Sequence, residues 1–466
     1  MQSANSELRS NRPQLLNSRF CILHAAFGAP LAAPRGPFTP GALTALSTRR
    51  TFSLVTTAPA LEAKPTVPVS IAAPAGRIAS VDIIRGAVMV LMAIDHVRVF
   101  AGVPAGGASP AIFFTRWVTH FCAPAFIFLA GTSAFLYGRK HQDLSRFLLT
   151  RGLWLVLLEL TVIRLSWTFN FEFRQYLLAG VIWVIGWCMI LMAGLVKLPL
   201  RLVAAIGLLI IFGHNLLDGW LFSAAEGLGN DPRSNLLKLL YIGPIGPAVQ
   251  ITPNGPNLVV LYTIIPWIGV MAAGYAFGAI LTQPPAKRDR ACLTLGLGAI
   301  ALFLLLRGFN IYGDPNTWSA PAPGGDGPQL PAVLSFLNTS KYPASLLFLL
   351  MTLGPTIALI PLLEKARGPV ARWMTVFGKV PFFYYVLHIP LIHAIALVVS
   401  KIRMGTVVPW LFANHPMGSG RPPAGYAWSL GQLYLVWLIV VVLLYFACRW
   451  YAALKDREKA PWMAYL

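Results

Sequence analysis

The sequence predicts an all-α fold, a polytopic transmembrane helical bundle with about ten spans and both termini cytoplasmic. Three observations lead to this prediction. Of the 466 residues, 56% are hydrophobic and only 11% are charged, which is more apolar surface than a soluble domain buries. The apolar residues form runs of about 20, the length that crosses a hydrocarbon core of roughly 30 Å. The basic residues gather in short connections between these runs, as they do in cytoplasmic loops.

The charge and the cysteines exclude several other classes of protein. A net charge of +21, from 37 Lys and Arg against 16 Asp and Glu, would suggest nucleic-acid binding in a soluble chain. Here no basic face or RNA-binding motif accompanies the charge, so nucleic acid is not an expected partner. Neither a disulfide framework nor a zinc site is predicted, because the cysteines are odd in number and unclustered: Cys21, Cys122, Cys188, Cys292 and Cys448.

Three segments follow from composition. Residues 1–76 are predicted to be an N-terminal tail, either disordered or targeting, because they are rich in Ser, Ala, Pro and Arg and contain only Glu7 and Glu62 as acids. Organelle transit peptides have this composition, and a mis-assigned start codon is a further explanation. The membrane domain is predicted over 77–455, and a short C-terminal tail over 456–466.

The connections between the ten predicted spans differ on the two sides of the membrane, with basic connections on one side and the long ones on the other. Basic residues follow every even-numbered span, so the positive-inside rule places both termini in the cytoplasm. The opposite side receives long connections at about 217–256, 311–343 and 400–429, where we expect an acceptor to bind because long loops tend to be functional. The predicted spans are about 80–101, 117–138, 146–166, 176–196, 199–216, 257–281, 291–310, 344–363, 376–399 and 430–449.

The first span carries a stripe of polar residues. At about 100° per residue, Asp82, Arg85, Met89, Met92 and His96 lie within roughly 80° of one another. Arg85 and His96 are about 16 Å apart along the axis. Ionisable groups at membrane depth cost roughly 2.5–3.5 kcal/mol each and commonly mark a pathway or a site. The stripe therefore faces the bundle, although Asp82 and Arg85 could also be a simple i, i+3 ion pair.

Two histidines are candidates for chemistry near the outer rim. Asp95 lies about 100° from His96, so it is expected to pair with Arg98 or with another helix. His120 begins the second span on the same side as His96, and histidine titrates near neutral pH, which suits acid–base or acyl-carrying chemistry. A buried, packed histidine is the alternative. No metal is expected, because the remaining intramembrane candidates for a third ligand are few: His214, His388 and His393.

Several motifs carry a family resemblance. The pattern R-x-x-S-x-D-x-x-R-G from Arg77 to Gly86 resembles the first helix of the transmembrane acyltransferase superfamily, which includes the acyltransferase-three proteins. Three further stretches are similar to the heparan-alpha-glucosaminide N-acetyltransferase-like branch: His120–Phe135, Asn338–Pro355 and Phe377–His393. The membrane domain is thus identified as a transmembrane acyltransferase-like domain.

The resemblance implies a multi-pass acyltransferase, with a bacterial inner membrane as the expected location. It would move an acetyl or acyl group from cytosolic acetyl-CoA or another acyl-CoA, used as co-substrate, to an extracytoplasmic acceptor such as an amino sugar or glycan. The lysosomal heparan enzyme is thought to use a histidine after its first helix, but residues 101–116 contain none. Either His96 or His120 then does this work, or the reaction has changed, and the heparan acceptor itself is not transferred.

The resulting site hypothesis places the donor on the basic side. Arg85, with Asp82, is predicted to bind the cofactor, while His96, with His120 in reserve and Asp95 beside it, is predicted to deprotonate the acceptor or carry the acyl group. The predicted substrate-binding residues are Lys341, His388 and Tyr385. Lys341 could instead be an interfacial anchor, and Tyr385 could serve packing.

Three alternatives stay open. Glu159, inside the third span, needs a partner, either Arg164 or a neighbouring helix. Gly274 and Gly278 would permit close helix packing, within one chain or in a homodimer. The same buried charges could also form the path of a transporter for a solute or a lipid-linked substrate, without covalent chemistry. The absence of inverted halves argues against that transporter.

Overall fold

The computed structural model describes most of the membrane domain. The predicted tail 1–76 lies outside the described residues, as does 459–466 at the C-terminal end. The described residues are 78–106, 109–228, 231–244, 248–252, 255–319, 329–416, 418 and 420–458.

Helices account for most of these residues, as the apolar runs predict. In chain order they are α1 Ala79–Phe100, α2 Pro110–Trp117, α3 Cys122–Gly138, α4 Leu144–Leu158, α5 Arg164–Thr168, α6 Val181–Leu195, α7 Leu200–Gly213, α8 Asp218–Leu228, α9 Pro232–Leu237, α10 Ile264–Leu281, α11 Pro285–Gly308, α12 Ala332–Leu337, α13 Leu346–Ala358, α14 Ile360–Lys365, α15 Pro369–Lys379, α16 Pro381–Met404 and α17 Leu430–Glu458. Short 3₁₀ turns at Val118–Phe121, His214–Leu217 and Pro409–Phe412 and π turns at Glu159–Ile163 and Lys238–Ile242 complete the helical segments.

The all-α polytopic fold is confirmed, but the count of ten spans is wrong. Among the described residues, seven helical segments are long and apolar enough to cross a bilayer. The protein is therefore an integral multi-pass membrane protein. The seven segments are Pro110–Gly138, Leu200–Leu228, Ile264–Leu281, Pro285–Gly308, Leu346–Lys365, Pro381–Met404 and Leu430–Glu458.

The other three predicted spans are at least partly helical, but they are not among the seven long apolar segments, and each has a physical reason. The predicted span 80–101 is α1, which carries four charged residues in 22. The predicted span 146–166 is broken into α4, a π turn and α5, and it also contains charged residues. The predicted span 176–196 begins as a strand, leaving α6 with 15 residues, fewer than the roughly 20 that a bilayer requires.

That strand belongs to a small sheet at one end of the bundle. The strands are β1 Tyr176–Ala179, β2 Val249–Gln250 and β3 Asn257–Val260, in the order β1-β3-β2. β1 runs parallel to β3, whereas β2 is antiparallel to it. Because a parallel pair needs a long crossover, the chain from α6 to the second π turn forms that connection. The sheet thereby fixes where α6 begins.

α1 lies in the middle of the bundle, as its polar stripe predicts. It packs against α3, α14, α15, α16 and α17. The backbone N–H of Ser80 donates to Glu364 Oε2 over 2.8 Å, which satisfies one of the free N–H groups at the start of a helix. Trp437 Nε1 donates to the Val90 carbonyl over 2.9 Å. These two hydrogen bonds fix the position of α1 at its start and near its middle.

Glycines permit a close helix contact between α3 and α10. A Cβ on Gly274 would overlap the Phe128 carbonyl, and one on Gly278 would meet the Phe135 side chain. Both glycines therefore serve packing within one chain, which answers the question that their spacing leaves open. They do not indicate a homodimer.

Candidate active site

The centre of the candidate site is a pair of histidines on two helices. His96 comes from the last part of α1, and His388 from the first third of α16. His96 Nδ1 lies 2.6 Å from His388 Nε2, and the two rings are stacked with centroids 4.8 Å apart. His388 is completely buried. The sequence predicted both residues for the site, but it assigned His388 to the substrate rather than to His96.

The hydrogen bonds determine which ring nitrogen carries the proton. His388 Nδ1 lies 2.6 Å from the Tyr385 carbonyl oxygen. Because a carbonyl can only accept, Nδ1 of His388 is the donor, and Nε2 of a neutral His388 is the acceptor. His96 Nδ1 must then donate to it. The lone pair of neutral His96 is thus on Nε2, the atom that a general base uses.

Aromatic rings surround this pair. The edge of the His96 ring meets Trp167, with centroids 5.1 Å apart, and Tyr384 stacks on His388 at 5.5 Å. His96 and Trp167 both line a cavity of about 90 Å³, together with Asp95, Arg116, Tyr262 and Tyr385. We call this the histidine cavity. It places the base against a space that an acceptor group can enter.

Charged groups flank His96 on the same cavity wall. Asp95 accepts from Arg98 Nε over 2.7 Å, which is the i, i+3 pair that the sequence favours, and Arg98 Nη1 also donates to the Val103 carbonyl. Lys341 lines an adjoining space of about 40 Å³ with Asp95 and His96. Its ammonium group lies 5.8 Å from the ring of Tyr262. Lys341 is therefore near the base rather than only at the membrane interface.

His120 lies apart from this arrangement. It is 4% exposed, its ring meets Phe348 edge-on with centroids 5.5 Å apart, and it lines none of the cavities described here. Neither ring nitrogen has a hydrogen-bond partner among the described residues. Its neighbours Thr119 and Cys122 reach the space beside His96 instead. The geometry favours His96 over His120.

A second, larger cavity opens at the basic end of the bundle. It measures about 360 Å³ and has an apolar interior that includes Met89 and Ile182. The cationic residues that line it are Arg85, Arg151, Lys379 and Lys455. We call it the basic cavity. Its combination of positive charge and apolar depth suits a ligand with phosphates at one end and a chain at the other.

Arg85 is fixed inside the basic cavity. Its Nη1 lies 3.9 Å from Asp82 Oδ1, so the i, i+3 ion pair exists, while its Nη2 donates to the Leu129 carbonyl over 3.3 Å and to Ser133 Oγ. The side chain of Arg85 is 21% exposed and that of Asp82 5%. Asp82 thus orients Arg85 and does not itself line the cavity.

Tyr385 stands between the two cavities. It lines both the basic cavity and the histidine cavity, as does Val181. The Tyr385 hydroxyl donates to Glu159 Oε2 over 3.5 Å. Glu159 also accepts the backbone N–H groups of Gly180, Ile182 and Trp183. Its partner is therefore the N-terminus of α6, a favourable place for a carboxylate, and not Arg164.

The other intramembrane histidines serve the fold. His214 Nδ1 lies 2.8 Å from the Ile210 carbonyl oxygen and its Nε2 lies 2.9 Å from that of Ala344. His393 contacts the Ser166 carbonyl and stacks on Phe169. Among the residues that the structure describes, no three His, Cys, Asp or Glu side chains come together in a way that could hold a metal ion.

Comparison with known families decides the class of protein. The family described as heparan-alpha-glucosaminide N-acetyltransferase, catalytic, matches residues 77–309, which is half of the chain. The chain belongs to this family. A search of curated proteins returned no match. The protein is a membrane acetyltransferase by family, and the resemblance that its motifs carry is confirmed.

The part matched by the acetyltransferase family contains only some of the site. Arg85, His96 and Glu159 lie within it, whereas Lys341 and His388 come from the remaining half. An acetyltransferase of this family implies an acyl-CoA donor. In this chain, both halves are needed to complete the histidine pair and the cavity wall.

Sequence reasoning missed several residues of this acetyltransferase site. In the sequence, Arg151 and Lys455 count only among the basic residues that mark the cytoplasmic side, and neither Lys379 nor Trp167 has a predicted role. Their spacing in the sequence gives no signal, because each comes from a different helix or turn. The available hint is that Arg151, Lys379 and Lys455 each lie within two turns of a helix end.

Outside the spans, one histidine of the acetyltransferase has a displaced pKa. His415 lies in the connection after α16 and stacks on Tyr176 with centroids 4.1 Å apart. Burial, together with the smaller effect of the nearby positive charge of Arg164, lowers the pKa of His415 from 6.5 to about 4. His415 is therefore neutral near pH 7.

Proposed function

We propose that this protein transfers an acetyl or other acyl group from acyl-CoA to an amine or hydroxyl acceptor, with His96 as the general base. The observation that carries this proposal is the hydrogen bond from His96 to His388, which leaves Nε2 of His96 basic at a cavity wall. Family membership supports acetyl transfer as the reaction. The donor, the acceptor and each residue's role are part of the proposal.

The donor would occupy the basic cavity. Arg151, Lys379 and Lys455 would face the CoA phosphates, and the apolar interior would take the pantetheine chain. Arg85 would approach the donor at greater depth. Because Tyr385 borders both cavities, the thioester carbonyl would lie near it. By the charge bias of the loops, this mouth faces the cytoplasm, where acyl-CoA is found.

The acceptor would occupy the histidine cavity. Trp167 and Tyr262 offer flat rings, while Asp95 and Arg116 offer hydrogen-bonding groups, a combination that suits a sugar. Lys341 lies beside Asp95 and His96, where its positive charge could polarise the thioester carbonyl. An amino sugar or glycan on the far side of the membrane is thus the proposed acceptor class.

The transfer step follows from these positions. The N–H or O–H proton of the acceptor moves to His96 Nε2, and the acceptor atom forms a new bond to the thioester carbonyl carbon. The C–S bond breaks, and the proton passes from His96 to the departing CoA thiolate. During the step His388 Nε2 continues to accept from His96 Nδ1 and stabilises the positive imidazolium. An acyl group carried covalently on His96 is the other form of this proposal.

The test is consumption of radiolabelled acetyl-CoA by the purified protein in proteoliposomes, with glucosamine as the probe acceptor. We expect His96→Ala to lose about 10²- to 10⁴-fold in rate, the usual contribution of a general base, and His120→Ala to retain activity. His141→Gln, in an exposed turn after α3, is the matched control. Label retained on wild-type protein but absent from His96→Ala would identify the covalent form.

The same assay can refute the proposal. If His96→Ala is folded and turns over acetyl-CoA at the wild-type rate, His96 is not the base. If the folded wild type neither binds nor consumes acetyl-CoA, acyl transfer fails in this form and the transporter interpretation replaces it. Location in a bacterial inner membrane and assembly as a homodimer stay predictions. Cell fractionation and mass photometry would test them.

A further inference from the structure

A third cavity lies away from the site, among α7, α10, α11 and α13. It measures about 620 Å³, and nearly all of its lining is aliphatic or aromatic, with Arg201 and Thr294 as the polar exceptions. We call it the lateral groove. It shares no lining residue with the basic cavity or the histidine cavity, so it is not part of the proposed active site.

The helix packing explains why the groove exists. α7 packs on α10, where a Cβ on Gly207 would lie 2.7 Å from the Ala273 backbone nitrogen. α11 packs on α13, where a Cβ on Gly296 would lie 2.5 Å from the Ala358 nitrogen. α7 therefore packs on α10, and α11 packs on α13, rather than the two packing on each other. The space between them opens at the surface of the bundle, where the exposed apolar side chains of Leu208, Phe212 and Leu295 line it.

The length of the groove matches one leaflet. Its lining on α7 runs from Leu200 and Arg201 to Phe212, and the eleven steps from Arg201 to Phe212 rise about 16 Å at 1.5 Å per residue. Half of a hydrocarbon core of roughly 30 Å is about 15 Å. An acyl chain of one leaflet would therefore lie along the groove over its whole length.

A cation marks the end of the groove. Arg201 is exposed, and it forms no ion pair or hydrogen bond with another described residue. It lies in the first turn of α7, where backbone N–H groups and the helix dipole favour an anion. α7 and α10 are antiparallel, so Arg201 lies at the end of the bundle where α11 begins with Lys287, Arg288 and Arg290. This end matches the level of lipid phosphates.

We propose that the lateral groove binds a diacyl phospholipid of the leaflet on this side, with an acyl chain between α7 and α11 and the phosphate against Arg201. The apolar lining favours an apolar occupant, and the cation Arg201 at one end of the lining favours an anion there. A diacyl phospholipid has both groups at the required separation. The inference does not depend on the proposed acyl transfer.

The test uses two substitutions with matched controls. Gly298 lines the groove, and a Cβ there would meet nothing within 4 Å, so Gly298→Leu directs its side chain into the groove. Gly308, on the same helix, also has open space around it but does not line the groove, so Gly308→Leu is its control. Arg201→Gln removes the cation, and Arg290→Gln makes the same charge change outside the groove.

Two measurements are made on the full chain purified in detergent. Native mass spectrometry detects retained phospholipid, and the Tm of delipidated protein is followed as phosphatidylglycerol is added. We expect a phospholipid adduct and a rise in Tm of several degrees for wild type and both controls. We expect Gly298→Leu to lose both, and Arg201→Gln to bind about tenfold more weakly.

Three outcomes would overturn the inference. Retention of the same lipid by wild type, Gly298→Leu and Arg201→Gln would show that the groove is not the site. A Tm rise with diacylglycerol as large as that with phosphatidylglycerol would refute the phosphate contact. Loss of a dimer in Gly298→Leu, with lipid binding unchanged, would show that a second copy of the chain fills the groove. None of these outcomes depends on acetyl-CoA turnover.

Discussion

Replacing His388 tests the central feature of the site, because this residue would act only through His96. His388→Phe keeps the ring shape and the stacking but removes the Nε2 acceptor. During transfer His96 becomes positively charged, and a hydrogen bond to a charged group contributes about 1.5–3 kcal/mol. At 1.36 kcal/mol per tenfold in rate, we expect kcat to fall about 10- to 150-fold. KM for acetyl-CoA should be unchanged, since His388 does not line the basic cavity.

Two further variants separate positioning from loss of fold. His388→Gln offers an amide oxygen that can accept from His96 Nδ1, so it should recover part of kcat. In the double variant His96→Ala with His388→Phe, the second change should cost almost nothing, because the interaction has already been removed. The assay is release of the CoA thiol in proteoliposomes with glucosamine, with the melting temperature measured in parallel.

The result that would refute this reasoning is specific. A folded His388→Phe variant with wild-type kcat would show that the hydrogen bond to His96 has no role in catalysis. Equal losses from His388→Phe in the presence and absence of His96 would show that His388 acts independently of the base. A change in KM for acetyl-CoA alone would place His388 in donor binding.

Three other predictions concern the donor, the fold and pH. Arg85→Gln should raise KM for acetyl-CoA about 5- to 30-fold, as expected for loss of a partly screened cation that contacts the donor deep in the basic cavity. Equal KM values for the variant and the wild type would contradict this role. Gly180→Ala should lower the free energy of unfolding by about 1–3 kcal/mol, because a Cβ there would overlap Glu159 Oε1. Gly194→Ala, which meets nothing within 4 Å, is the control, and an equal effect of the two in thermal unfolding would refute the explanation. Because the pKa of His415 falls from 6.5 to about 4 on folding, His415 should cost no stability above pH 6.5 and about 2–3 kcal/mol as the pH falls to 4. In unfolding curves, the decline of the free energy of unfolding over this range should be smaller in His415→Gln than in wild type by about that amount.

Features that depend on neighbours along the chain could be predicted from the sequence. The polar stripe of α1 can be predicted because successive residues of a helix are about 100° apart. In the structure α1 packs among five other helices, as the stripe predicts. The Asp95–Arg98 pair is an i, i+3 contact, which helix geometry alone brings together. The family resemblance depended on short motifs of the same local kind.

Features that join distant segments could not be predicted. His96 and His388 are 292 positions apart. Their contact depends on the axial position of α16 relative to α1, which no local sequence pattern specifies. The predicted number of spans was wrong for a related reason. Hydropathy identified the region 176–196 as apolar, but it could not show that Tyr176–Ala179 pairs with β3 instead of extending α6.

Glu159 shows how such a distant contact accounts for a charge at membrane depth. Its carboxylate has four lone-pair sites, and it receives three N–H groups from the start of α6 together with the Tyr385 hydroxyl. A glutamine would offer one oxygen and direct two N–H donors at other donors, leaving buried groups unpaired. Val181, the first residue of α6, lines the basic cavity, the histidine cavity and the space beside Lys341. Glu159 also lines the histidine cavity itself, so the acid both holds the wall that the three spaces share and adds a polar group to it.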